Sequence, residues 1–534
     1  MTDIDVSNIF KEERRGWNGY IEWEDYPEKK AIAHKILAAK KFTHIPEFQF
    51  VPLPNTNPIL IGHRWKEYHE ALGIKNIVDY SWETVLKEKP DLLHVLDFPY
   101  NGETTREQLM KGKLTDNKYH LYALPSNFLL INLKYPDSVR NHGGIPNIEP
   151  GAFELEIGGL VKTPAKLSLR EIMDPTKFPQ VEVTVTLQCS GTRRLEQINQ
   201  YPGDGDELIN APWGEGAIGT AVYRGVPLKK ILKVACGSVL PECEHLEFIG
   251  ADTYFKKNNV YNYAVSVPWK KVRQNEEVIL AWEMNGERLP KSHGAPLRVV
   301  VAGYIGARSC KWVYKINALR EPSMGPVQRQ EYLYYTSQIG KQNAKYSNGF
   351  SIQNMPVSSA IITPSDKHVV IHDGKIKLSG WTYSGGGNWV ERVEVSADGG
   401  SVWYAVDPED LTEKATSSLL SIEHYYAWRL WKIDIPVDAE GWLEFCVRTW
   451  DSSNNTEPTF IRSAWNWDLH VTSSCHRIKL YSVNRSRPAT AARLKELEEK
   501  GIEFNPLTRP LEFGLEHPEE YISAVRKSPR EPRS

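Results

Sequence analysis

Val181, Val183, Val185 and Leu187 alternate with Glu182, Thr184, Thr186 and Gln188, the period-two pattern of a half-buried strand. Cys189 continues the apolar phase, so it is expected to face inward at the strand's end. Ser190-Gly191-Thr192 then turns the chain into Arg193-Arg194. Downstream, Leu297 to Ala302 is an apolar run broken only by Arg298 and closed by Gly303 and Gly306, which suits a central strand. From about 120 to 325 the chain reads as strands between Gly and Pro turns. That region is not the whole protein, because 534 residues exceed one core and predict three or four domains of roughly 150 residues each.

A second strand-rich region runs from about 345 to 482. Apolar runs at 376–378, 390–395, 403–406, 428–435 and 442–447 recur between turn signals, and Asp398-Gly399 marks a hairpin, which together predict a β-sandwich. Gly385–Gly387 is followed by no helix pattern, so it reads as a wide loop and not a phosphate cradle. In the charged and aromatic N-terminal part, Pro27 opens an amphipathic helix with Ile32, Ile36 and Leu37 on one face. Lys29, Lys30, Lys35, Lys40 and Lys41 cover the other, read as a solvated face in preference to a membrane contact. Near the C-terminal end Thr490 is expected to cap a short helix (Ala491, Leu494, Leu497) closed by Gly501. The expected organisation is an α+β protein: an N-terminal extension (1–115), a mixed α/β domain (116–335), an immunoglobulin-like β-sandwich (345–482) and a tail (483–534).

Sixty-five Lys and Arg oppose 67 Asp and Glu, a net charge of −2 that argues against a nucleic-acid partner. The longest apolar stretch, Leu297 to Ala307, is about half the ~20 residues a membrane span needs. Six cysteines without a CxxC pair make neither a disulfide scaffold nor a zinc or iron–sulfur motif, and they suit a reducing compartment. Asp3, Asp5, Glu12 and Glu13 speak against a secretory signal or transit peptide, and Glu531–Ser534 is not a peroxisomal address. The expectation is an intracellular, soluble protein, cytosolic by default, with mitochondrion and peroxisome left open.

Three clusters carry chemistry. Beside Cys189, Arg193 and Arg194 favour a thiolate fit for metal ligation or nucleophilic attack; a buried structural cysteine is the alternative, and no cysteine-protease signature surrounds it. Ser138 to Gly144 combines Arg140, Asn141 and His142 with two glycines, a composition suited to gripping an anion. Ser292 to Arg298 and Gly306 to Trp312 add His293, Arg298, Arg308 and Lys311; alone, each is equally explained as a solvated loop.

Together these segments resemble a known family. Thr186 to Arg194 (TLQCSGTRR) closely resembles the TLQCAGNRR motif of the sulfite oxidase family of molybdopterin enzymes, and Arg140-Asn141-His142 resembles its RNH segment. Leu280 to Gly286, His293-Gly294 and Lys311-Trp312 are similar to its LAYEMNG, HG and KW elements; Gln328 to Tyr332 is similar to its QRRDY and Ala427 to Trp431 to its AWRLW. The resemblance implies a molybdopterin-binding domain followed by a dimerisation sandwich, hence a homodimer, with Cys189 as the protein ligand of molybdenum. It implies cofactor contacts from Ser138, Val139, Arg140, Asn141, His142, Cys189, Asp252, His293, Arg298, Ser309, Cys310 and Lys311. For the substrate it implies Arg140, Arg194, Arg429, Tyr332 and Trp213, and the reaction is oxidation of sulfite to sulfate by oxo transfer. Ser190 and Thr192 depart from the family's Ala and Asn, and Ser138 from its usual aromatic. No His-Pro-Gly-Gly haem signature occurs, so no haem is expected, and oxygen or a cytochrome is the candidate electron acceptor. The molybdenum domain of a nitrate reductase is the nearest alternative, disfavoured by Arg429; a non-catalytic descendant acting as an interaction protein is a further one, disfavoured by the retained Cys189 and arginines.

Overall fold

The structure is a computed structural model that describes residues 92–96, 101–104, 146, 148–200, 213–256, 259–274, 277–339, 343–412 and 424–510. Strands β1 (Leu92–Leu96) and β2 (Asn101–Thr104) pair antiparallel. The helix expected after Pro27 lies outside the described residues.

The first large domain is built from β3 (Glu154–Gly159), β4 (Ala165–Ser168), β5 (Val181–Gln188), β6 (Ile218–Pro227), β7 (His245–Lys256), β8 (Asn259–Pro268), β9 (Val278–Met284), β10 (Glu287–Arg288), β11 (Arg298–Val301) and β12 (Val313–Leu319). They form two five-stranded sheets: β10-β9-β6-β5 with β11 also on β9, and β4-β3-β12-β7-β8. Pairing is antiparallel except between β3 and β12. Helices α1 (Leu169–Ile172), α2 (Arg194–Gln200), α3 (Leu228–Cys236) and α4 (Trp269–Gln274) are short. The amphipathic α3 buries Leu228, Ile231, Leu232 and Cys236 in the core that joins both sheets, and Gly237 closes it at φ 65°.

Strand β5 shows the expected alternation at Val181, Val183 and Val185, but Thr186 and Gln188 are buried as well. Its free edge accounts for this. β5 pairs only with β6 in the sheet, and the second domain covers its other edge: the Thr186 N–H donates to the Tyr426 carbonyl at 2.7 Å. The run from Leu297 supplies β11, buried at all four positions, although it ladders with β9 alone.

The second domain begins after a small pairing of β13 (Leu333–Tyr334) with β14 (Phe350–Ser351). Its strands are β15 (Ser358–Thr363), β16 (Val369–His372), β17 (Lys375–Tyr383), β18 (Val390–Ser396), β19 (Tyr404–Ala405), β20 (Arg429–Pro436), β21 (Gly441–Asp451) and β22 (His476–Asn484). A three-stranded sheet, β15-β17-β20, faces a five-stranded one, β16-β22-β21-β18-β19. Ile376, Leu378, Val393, Trp431, Phe445 and Leu480 fill the space between them. Asp398 shapes the expected turn between β18 and β19, accepting the N–H groups of Ser401 and Val402. The glycine loop turns out to be a packing device: a side chain on Gly385 would come within 2.1 Å of the Met355 carbonyl and 2.7 Å of the Gly303 carbonyl.

The last helix, α5 (Pro488–Glu499), starts two residues before the expected cap. Pro488 occupies its first turn and Arg487 its N-cap, while the Thr490 hydroxyl donates to Glu440 instead. No helix among the described residues is long and apolar enough to cross a membrane.

Candidate functional site

Cys189 follows β5 directly, held by its own N–H on the Ala217 carbonyl at 2.9 Å. The turn after it is fixed by Thr192, whose Oγ1 donates to the Cys189 carbonyl at 2.8 Å or the Ala217 carbonyl at 2.7 Å. The Gly191 N–H points at Cys189 Sγ from 3.4 Å. Cys189 is half-buried, not fully inward. Its sulfur faces a cavity of about 110 Å³ lined also by Gln188, Asp252, His293, Arg298, Ser309, Lys311 and Tyr332.

Each wall has a local cause. β7 carries Asp252, whose carboxyl is pushed up to about 7 by burial against the opposing pull of Lys311. A 3₁₀ turn (Lys291–His293) closed by Gly294 at φ 106° presents His293. Arg298 opens β11; its Nη1 donates to the His293 carbonyl at 3.1 Å and its guanidinium lies over the Tyr223 ring at 5.4 Å. Ser309 Oγ accepts the Val301 N–H, and Lys311 Nζ donates to the Ser292 carbonyl at 2.9 Å. A π-helical turn (Val327–Glu331) delivers Tyr332, a geometry frequent at functional sites.

The residues fit a polar, anionic cofactor. Gln188 Oε1, Asp252 Oδ1 and Arg298 Nε are buried on this cavity with no hydrogen-bond partner among the described residues, as expected where a heteroatom-rich group supplies the missing contacts. Gly306 packs closely on the end of β5: a Cβ there would come 3.2 Å from the Gln188 carbonyl. Among the described residues no three His, Cys, Asp or Glu side chains gather as a metal cage.

The structure does not bring every expected residue here. Ser138, Val139, Arg140, Asn141 and His142 lie outside the described residues. Cys310 is adjacent to the cavity but turned away: its Sγ lies 3.4 Å from the Lys311 carbonyl, and burial raises its thiol well above the usual value. Trp213 is buried behind α2, its carbonyl accepting the Leu195 N–H, and does not line the cavity. Arg429 is not among the residues that line the cavity. At the start of β20 it donates from Nε to the Thr412 carbonyl at 2.6 Å and from Nη1 to the Val390 carbonyl at 2.9 Å, within the second domain and off the cavity. Arg193 serves the domain junction, paired with Glu196 at 2.6 Å and Glu457 at 3.4 Å. Arg194 stays at the Cys189 turn, where a Cβ on Gly191 would lie 2.5 Å from its Nη2, but it is not among the residues that line the cavity.

Three residues at or behind the cavity escaped the sequence reading, and a fourth, Arg308, was named there without a role. Tyr223 and Tyr263 line it, the latter donating to the Ala307 carbonyl at 2.6 Å. Arg308, fully buried, clamps the Ile352 carbonyl and Gln328 and lies over the Tyr332 ring at 5.9 Å; burial lowers it to about 10. His470, from the second domain, packs on Tyr332 and Arg194. Only Arg308 stood in a motif; the tyrosines look like ordinary strand aromatics.

Comparison with known proteins agrees with this layout. A family model described as an oxidoreductase molybdopterin binding domain matches residues 142–327, and one described as a Mo-co oxidoreductase dimerisation domain matches 349–483. Human mitochondrial sulfite oxidase is 33% identical over 387 residues, 72% of this chain and 64% of the human protein's length. Arabidopsis thaliana sulfite oxidase is 32% identical over 417 residues, covering 76% of this chain and 98% of the plant protein. A nitrate reductase of Hordeum vulgare is 31% identical over 80% of this chain and 45% of its own length. The fold is shared with the sulfane dehydrogenase SoxCD of Paracoccus pantotrophus at TM-score 0.55 and 22% identity, over 81% of this chain and 97% of that one. With a near full-length plant relative and both domain models in register, this chain belongs to the sulfite oxidase family of molybdopterin oxidoreductases.

Proposed function

We propose that this chain oxidises sulfite to sulfate, as a soluble intracellular homodimer joined through its second domain. The observation that carries the reading is the meeting of Cys189 Sγ, Tyr332 and the cations Arg298 and Lys311 around one cavity. Bound molybdopterin would supply two-electron oxo-transfer chemistry beside the Cys189 thiolate. Arg298, Lys311 and His293 suit its phosphate and polar edges, and Asp252 and Gln188 offer acceptors to a donor-rich ring. Arg194, with Arg140 from the resemblance, would hold the substrate oxyanion by charge-assisted hydrogen bonds, which weaken little in so dry a site. Tyr332 Oη would keep its proton and donate to that oxyanion as its charge redistributes.

Nitrate reduction at the same site is the second reading. It is favoured by the 31% identity, over 80% of this chain, to a nitrate reductase of Hordeum vulgare. The test is sulfite-dependent ferricyanide reduction by molybdenum-loaded protein, beside nitrate reduction by a reduced viologen. Sulfite turnover that Cys189→Ser abolishes is the expected result; nitrate turnover alone would replace this reading with the second.

A further inference from the structure

The segment 464–476 of the second domain is built around one side chain. His470 is 1% exposed, and the Asn466 amide holds both of its backbone groups: Nδ2 donates to the His470 carbonyl at 2.6 Å and Oδ1 accepts its N–H at 3.1 Å. Leu469 and Val471 on either side have φ of 51° and 53°. Left-handed backbone at a β-branched residue is a marked outlier, costing on the order of 1–3 kcal/mol, and it persists only where the surroundings over-determine it. Here the Val471 N–H donates to the Ser190 carbonyl and Arg194 Nε donates to the Leu469 carbonyl at 3.0 Å, so the strained loop is clamped onto the Cys189 turn.

The ring completes the clamp. His470 Nε2 lies 2.9 Å from the Glu331 carbonyl, an acceptor only, so Nε2 carries the proton. Nδ1 is then the acceptor, with Arg194 Nη2 at 3.3 Å and Ser190 Oγ at 3.0 Å. The imidazole also stacks on Tyr332 with ring centres 5.4 Å apart and planes at 27°. Ser190 stands where the family motif has Ala, so the extra hydroxyl and the imidazole that meets it belong to one arrangement.

We infer that His470, in its neutral Nε2–H form, is a positioning residue that fixes the Arg194 guanidinium at the Cys189 turn and the Tyr332 ring on the cavity wall. The inference rests on the proposed sulfite chemistry for its substrate but not for its geometry. Three variants separate its parts. His470→Phe keeps the stack and loses Nδ1; His470→Asn offers Oδ1 in place of Nδ1; His470→Ala removes both.

The experiment uses molybdenum-loaded protein and two readouts: the sulfite KM and kcat, and sulfate affinity of the oxidised enzyme by calorimetry. For His470→Phe, KM and the sulfate Kd should both rise about tenfold, the worth of one hydrogen bond aiming a charged group, with kcat within about threefold. His470→Asn should recover most of that loss, and His470→Ala should in addition lower kcat as Tyr332 loses its stacking partner. Equal sulfate affinity in wild type and His470→Phe overturns the inference, as does a wild type that binds no sulfate. An equal loss in all three variants, tracking lowered thermal stability, also overturns it, since a merely structural role predicts that pattern. If wild type binds sulfate in the expected order but does not turn over sulfite, the sulfite reading fails and the His470 inference stands.

Discussion

The Trp428 N–H donates to Thr186 Oγ1 at 2.8 Å, a hydrogen bond from the second domain to a side chain three residues ahead of Cys189. The same hydroxyl meets Thr220 Oγ1 on β6, so one buried group ties the sheet, the domain junction and the cysteine turn together. The second domain thus does more than lie beside the site: it fixes the strand that carries Cys189. Thr186→Val leaves the buried Trp428 amide without its acceptor, which should cost about 1–3 kcal/mol. Urea unfolding measures this, and a neutral effect would show that the junction relaxes around the loss.

Glu277 is a second tie between the domains. Burial would raise its carboxyl, but Lys271, Tyr426 and His424 outweigh that and hold it below the usual range. Its folded-state value is depressed, so the ionised form contributes stability above the ordinary carboxylate range, and the contribution is lost as pH falls through the depressed value. Glu277→Gln strands the buried Lys271 charge, at a cost of about 3 kcal/mol or more near neutrality. Unfolding of wild type and variant across pH 3 to 7 should show the gap closing in acid. A gap independent of pH would contradict the ion-pair account.

Arg429 gives the sharpest contrast between sequence and structure. Its motif neighbours predict a substrate arginine, yet its guanidinium is spent on the Thr412 and Val390 carbonyls. Arg429→Met should therefore destabilise the second domain by about 1–3 kcal/mol. The sulfite KM should change less than about twofold, because no hydrogen bond to an anion is lost. A large KM effect at unchanged stability would return Arg429 to the substrate site.

What the sequence discloses follows from how local each cause is. The alternation of Val181, Val183 and Val185 and the turn at Ser190-Gly191-Thr192 are short-range signals, so the strand and the placement of Cys189 at its end were legible. Asp252, His293, Arg298, Ser309 and Lys311 were legible through motif resemblance, and all line the cavity. Arg429 is the harder case, because an arginine's motif does not record which acceptors the fold brings within reach. His470 was invisible for the opposite reason: an isolated histidine in a polar loop acquires its role only when the strained Leu469–Val471 segment meets Tyr332 and Arg194 across the junction. The buried state of Thr186 likewise depends on a partner 242 positions away.

The account's central claim is that Cys189 is the protein's ligand to molybdenum. X-ray absorption at the molybdenum edge tests it directly, by counting sulfur neighbours in the loaded wild type and in Cys189→Ser. The account predicts that the variant retains the cofactor and loses one sulfur neighbour; an unchanged sulfur count would contradict it.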